Sequence, residues 1–165
     1  MSEETRDATR LFVDADACPV KDEAYRVAAR YGLMTYVVAN APIRVPQSPL
    51  TRFVMVEQGP DAADDWIALR AGPQDIVLTA DIPLAGRCLK AGASVIGFTG
   101  KPFTEASIGM ALAQRGLMEH LRETGAVTGG PKSFAPADRS RFLQALDEAV
   151  VRIRRKAKDI AKDPA

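Results

Sequence analysis

Five short apolar runs, LFVDAD, MTYVVAN, TRFVMVE, DIVLTAD and ASVIGF, alternate along the chain with stretches of helical period. Runs this short, apolar on consecutive positions, suit strands buried on both faces, the condition of a parallel sheet covered by helices. Between the first two runs, Val20, Ala24, Val27, Ala28 and Tyr31 form one stripe, and Lys21, Asp22, Glu23, Arg26 and Arg30 cover the rest. Pro19 suits the first turn of that helix and Gly32 the position just past its end. QGPDAADDWIALRAG predicts a turn and a short helix with Asp61 as N-cap and Gly72-Pro73 as the stop. IPLAGRCLKAG predicts a further helix, Glu105 to Glu123 another capped by Thr104, and a last one runs from about Pro136. APIRVPQSP, punctuated by prolines, is read as a loop. The expectation is an α/β fold of three layers, a mainly parallel five-stranded sheet with helices on both faces and C-terminal helices after it. One domain over residues 1–165 is expected, with frayed ends at 1–9 and in the basic tail from about 152 to 165.

In such a sheet, ligands bind beyond the carboxyl ends of the strands, near a switch in strand order. That edge is unusually rich in acids. Asp14 and Asp16 follow the first strand, Asn40 the second, Asp61, Asp64 and Asp65 the third, and Thr79 and Asp81 the fourth. Two carboxylates about 4 Å apart repel by roughly 4 kcal/mol at an effective dielectric of 20. A cluster of them therefore needs protonation or a cation. Without His or Cys among them, the acids suit a hard cation, Mg²⁺ or Mn²⁺, which keeps waters and prefers phosphate as a further partner. His120 falls mid-helix, which argues against zinc.

Each acid also has a plainer reading. Asp16 would cap the helix opened near Pro19, Asp61 would be only an N-cap, and Asp64 and Asp65 would favour the first turn of their helix. Asp81, before Ile82-Pro83, would cap the next helix. Asp14, directly after LFV, has no comparable structural role.

Several segments, VDADACPVKDEAYRVA, NAPIRVPQSP, GPDAADDWIA, ADIPLAGRCLKAGA and GKPFTEASIGMALA, resemble the YaiI/YqxD family of uncharacterised bacterial proteins over about Leu11 to Leu146. That family is similar in turn to the PIN-like group that includes the NYN nucleases. The resemblance implies a PIN-like domain in which Asp14, with Asp16 nearby, supplies the first acid, Asp64 or Asp65 the second, and Asp81 in VLTAD the third. It thus implies Asp14, Asp81 and Asp65 as catalytic acids, with Asp64 the alternative to Asp65, and a metal set of Asp14, Asp16, Asp64, Asp65 and Asp81. The activity implied is hydrolysis of RNA or DNA phosphodiesters dependent on Mg²⁺ or Mn²⁺. PIN-like nucleases often carry another acid two residues after the fourth-strand Asp, where this chain has Pro83. That departure keeps open a non-catalytic module that binds metal or nucleic acid.

A haloacid-dehalogenase-like phosphatase is the other enzyme reading, because DADAC resembles its Asp-x-Asp, with Asp14 as nucleophile and Thr79 as the second motif. The order of the acids argues against it, since Asp64-Asp65 precedes Thr79.

A net charge of +1 gives no global attraction to nucleic acid, so cations must act locally. Arg44, Lys101, Lys132, Arg139 and Arg141 are the candidates, Arg44 first because a proline-bounded loop holds it. Asn40 and Thr79 are expected to position substrate or water. The Gly129-Gly130 loop lacks the spacing of a phosphate loop. The run Arg152, Arg154, Arg155, Lys156 and Lys158 reads as a solvated helix end. Trp66 reads as core and Phe103 as a possible base-stacking residue. Cys18 and Cys88 are expected to be free thiols. The polar first ten residues and the absence of a long apolar run point to a cytoplasmic protein without a membrane span. No feature fixes an oligomeric state.

Overall fold

The computed structural model describes residues 8–125 and 134–162. The elements follow the order β1 (Arg10–Asp14), α1 (Lys21–Tyr31), β2 (Met34–Ala39), β3 (Thr51–Met55), α2 (Ala62–Ala68), β4 (Ile76–Leu78), α3 (Ile82–Lys90), β5 (Ser94–Ile96), α4 (Glu105–Glu123) and α5 (Pro136–Lys162). The five strands form one sheet in the order β3-β2-β1-β4-β5, and every pairing is parallel. The strand order turns back on either side of β1, so the switch lies between β1 and β4.

Alternate residues of β1 feed two separate cores. Leu11 and Val13 pack with Val27 of α1 and with Phe142, Leu146 and Val150 of α5. Phe12 packs with Ile67 of α2 and with Leu84 and Cys88 of α3. Helices therefore cover both faces, and Leu11, Phe12 and Val13 are fully buried. Each such side chain contributes about 1.5–3 kcal/mol by leaving water. Trp66 belongs to the second core, 6.1 Å from the Phe12 ring and stacked by Arg70 at 4.0 Å.

The strands at the right of the sheet are shorter than the sequence predicts. DIVLTAD contributes only Ile76–Leu78, because Asp75 is taken up by Arg10 and the chain turns away at Thr79. ASVIGF contributes only Ser94–Ile96, after which Gly97 bonds to Lys101 in a tight turn. The first helix begins at Lys21 rather than Pro19, its N-cap position held by Val20 without a side-chain cap. Gly32 ends it at φ 66°, the left-handed position that glycine fills without strain. Thr104 and Ser107 cap α4 reciprocally, each hydroxyl accepting from the other's backbone N–H at 3.0 and 2.8 Å. The basic run from Arg152 continues α5, with Ile153 buried and Arg154 stacked on Tyr31. Residues 1–7, Gly129, Gly130 and Lys132 lie outside the described residues. No described helix is long and apolar enough to cross a membrane.

Candidate active site at the strand-order switch

Asp14 is the last residue of β1 and Asp81 follows β4, so the switch between these neighbouring strands brings the two together. Thr79, fully buried, links them. Its hydroxyl donates to Asp14 Oδ2 at 2.7 Å and accepts from the Asp81 backbone N–H at 2.9 Å. Thr79 therefore positions the acids. Asp81 is the N-cap of α3, its Oδ1 accepting from the Leu84 N–H at 2.9 Å. The capping role and the strand-end placement coexist in that one side chain.

Asp16 does not cap α1. Its carboxylate accepts from the Asn40 backbone N–H at 3.0 Å, tying the turn after β1 to the end of β2. Asn40 thus enters the site through its backbone.

The adjacent pair on α2 divides. Asp65, named above with the catalytic acids, is instead engaged by Arg87 at 2.6 Å on an exposed surface. Asp64 is the one that senses the site. Burial, then the charges of Asp81 and Asp14, push its carboxyl up to about 6. Asp14 is also raised, chiefly by burial and further by Asp81 and Asp16, against the opposing hydrogen bond from Thr79. These acids lie within reach of each other's fields, and the charge of Arg87 offsets the rise at Asp64 only in part. Yet among the described residues no three acidic, His or Cys side chains approach closely enough to enclose one ion.

Asp14, Asp16 and Asp81 line a cleft of about 900 Å³. The segment after β5 and the start of α4 build its opposite wall, with Phe98, Phe103, Lys101, Ser107 and Ala111, and Phe134 closes one side. The sequence reading took Lys101 and Phe103 but passed over Phe98, Phe134 and the first turns of α4. The signal available was that GKPFT leaves β5 at the same sheet edge as the acids. Arg139 is committed to Pro19 O at 2.6 Å and stacks on Phe134 at 5.0 Å, beside the cleft. Arg141 pairs with Asp138. Arg44 is exposed on its loop and is not part of the cleft wall. Cys18 and Cys88 are free, buried, and pushed up to about 11 by that burial, so both stay protonated near neutrality.

The donor set tests the group expected here. Carboxylate oxygens alone, with no imidazole or thiolate turned towards them, suit Mg²⁺ or Mn²⁺ and not zinc. Mg²⁺ typically takes one or two carboxylates and keeps its waters, so a site for it does not require three acids in direct contact.

A family model described as "Uncharacterized BCR, YaiI/YqxD family" matches residues 12–152. A UPF0178 protein of Caulobacter sp. (strain K31) is 63% identical, covering 89% of this chain and 97% of its own. A UPF0178 protein of Nitrobacter winogradskyi is 66% identical, with 90% and 94% covered. The UPF0178 protein bll3966 of Bradyrhizobium diazoefficiens is 63% identical, with 93% and 92% covered. No solved structure matches the chain. The matched family model extends from β1 into α5 and so spans both the sheet and the acids at its edge: the chain belongs to the YaiI/YqxD family.

Proposed function

We propose that the protein is a phosphodiesterase acting on RNA or DNA with Mg²⁺ or Mn²⁺. The observation that carries this reading is the pairing of Asp14 and Asp81 through Thr79 at the strand-order switch, in one cleft with Lys101. The resemblance to PIN-like nucleases points the same way. Asp14 and Asp81 would hold the ion, and Asp64 would act on it only through its charge. Bound there, the ion would polarise a phosphate oxygen and lower the pKa of an attacking water. Thr79 keeps Asp14 oriented and favours its ionised form, the form a cation needs. Lys101 draws the phosphate backbone towards the cleft, and the faces of Phe98 and Phe103 receive an unstacked base.

A non-catalytic module is favoured by one observation: among the described residues no three acids converge on a point. Pro83, where PIN-like nucleases often place an acid, agrees with it.

The experiment is cleavage of end-labelled single-stranded RNA and DNA with Mn²⁺, Mg²⁺ or EDTA, comparing wild type with Asp14→Asn. Cleavage that needs the cation and falls by at least about 100-fold in the variant supports the proposal. Binding of the oligonucleotide without cleavage supports the module. Release of phosphate from a phosphomonoester, dependent on Asp14, would replace both with the phosphatase reading.

A further inference from the structure

Beside the acid cleft lies a second cavity of about 660 Å³, within the range of small-molecule sites. One face of α5 lines it, from Asp138 through Arg141 and Gln144 to Glu148, a run of about 15 Å at the usual rise. The two cavities share Thr99, Lys101 and Phe134, so they adjoin across a single turn of the chain. That turn is fixed. Gly97 N–H donates to Lys101 O at 2.9 Å, and Gly100 N–H to Gly97 O at 3.0 Å. Gly100 stands at φ 89°, and a Cβ there would lie 2.7 Å from the carbonyl carbon and oxygen of Arg141. Only glycine lets the turn press so closely on the backbone of α5. The result is a ridge that carries exposed Lys101 between the acid cleft and the α5 cavity.

The chemistry differs on the two sides. The acid cleft needs a cation, whereas the α5 cavity sets Lys101 and Arg141 against Asp138 and Glu148. With its charges balanced, it offers a phosphate no net attraction. Both acids are engaged within the wall, Asp138 accepting from Arg141 at 3.1 Å and Glu148 from the Gln144 amide at 3.1 Å. Arg141 and Gln144 each retain further N–H groups, and the Gln144 carbonyl is an acceptor. Phe134 and Ala145 add apolar surface beside them. Such a lining suits an uncharged, flat group with donors and acceptors along one edge. A nucleobase is such a group.

We propose that the α5 cavity binds the base of the nucleotide adjoining the one held at the acids, the strand crossing the ridge at Lys101. This rests on the nucleic-acid reading of the acid cleft and adds a second subsite to it. Lys101 meets the phosphate between the two nucleotides, and Arg141 and Gln144 select the base. A base inside a duplex has its edge taken by its partner, so the subsite accepts a single strand.

Fluorescence anisotropy of a labelled single-stranded oligonucleotide with the full chain tests this, in EDTA so that metal-dependent cleavage does not intervene. The single strand should bind at least about 10-fold more tightly than the same sequence as a duplex. Gln144→Ala should weaken binding at least about 5-fold without changing the slope of log affinity against log salt. Lys101→Ala should weaken it and flatten that slope by about 0.7, the share of one phosphate contact. Arg141→Ala should weaken binding, while Arg26→Ala, which removes the same charge from the exposed surface of α1, should not. With Mn²⁺ present, the Gln144→Ala defect should appear in KM. A duplex bound as tightly as the single strand overturns the proposal, as do equal losses in Arg26→Ala and Arg141→Ala. A chain that binds as described and never cleaves refutes the phosphodiesterase reading alone. One that cleaves with Gln144→Ala equal to wild type refutes the second subsite alone.

Discussion

The sequence predicts that Thr79 positions substrate or water, and in the fold its fully buried hydroxyl holds Asp14 and the Asp81 backbone. Thr79→Val keeps the shape and removes that link. The variant should lose about 1–3 kcal/mol of stability in urea denaturation, the cost of an unpaired buried partner. The Asp14 carboxyl should also titrate higher in carbon-13 NMR, because the lost bond is the one that lowers it. Asp64 offers a second test with a definite sign. Its carboxyl stands near 6 in the folded chain against 3.8 ordinarily, so the folded state holds the proton more tightly. Stability from this group is full below about pH 3.8 and declines as pH rises towards 6. Asp64→Asn should therefore be more stable than wild type near pH 7.5, and the difference should shrink on acidification through that window. Equal urea midpoints for the two proteins across that range would contradict the placement of Asp64 beside Asp14 and Asp81. The sequence named this acid pair but could not divide it. The choice rests on helix phase and on Arg87, a residue 22 positions later that draws Asp65 outwards.

At the scale of elements, periodicity and capping residues are a sound guide to where helices start and stop. The bounds of α4, which buries no described side chain, and the start of α5, which buries Phe142, Leu146 and Val150, both fall where the pattern predicts. Periodicity is a poorer guide at strand ends, where apolar character continues after the ladder has stopped. Val95 and Ile96 belong to β5, whereas Phe98 has left it to line the cleft. Long-range polar links were not legible at all. Asp75, 3% exposed, sits just before β4 and accepts from the Arg10 guanidinium at 2.8 Å, the Arg10 backbone N–H at 3.3 Å and the Gly72 N–H at 2.9 Å. It fastens the start of β1 to the start of β4, below the same pair of strands whose far ends carry Asp14 and Asp81. Asp75→Ala would strand the Arg10 charge in a partly buried place and open the Gly72 turn. A loss of about 3–5 kcal/mol is expected, read as a lowered urea midpoint with an unchanged slope. A change below about 1 kcal/mol would mean that the pair is replaceable by water.

Across the whole molecule, strand order converts residues far apart in sequence into one charged edge. Asp14 and Asp81 are 67 positions apart, and β4 inserts beside β1 only because β2 and β3 pair on the other side. The alternation of apolar runs with helical stretches implies the layers and the acid-rich edge, while the closeness of the acids depends on that insertion. Such an edge stores repulsion, and a cation that relieves it must stabilise the fold by mass action. At a free ion concentration 100 times its Kd the gain is about 2.7 kcal/mol, and a domain of this size gains about 2–4 °C per kcal/mol. Mn²⁺ at saturation should thus raise the Tm by about 5–10 °C near pH 7.5. At about pH 5 the rise should shrink, because the proton on Asp64, whose carboxyl is pushed up to about 6, then competes with the ion. Asp14→Asn should reduce the rise at the higher pH, while Asp65→Asn, which breaks only the surface pair with Arg87, should leave it unchanged. A melting temperature insensitive to Mn²⁺ and Mg²⁺ at millimolar concentration would leave the acids balanced by water and protons alone, and the metal-dependent reading would fail with it.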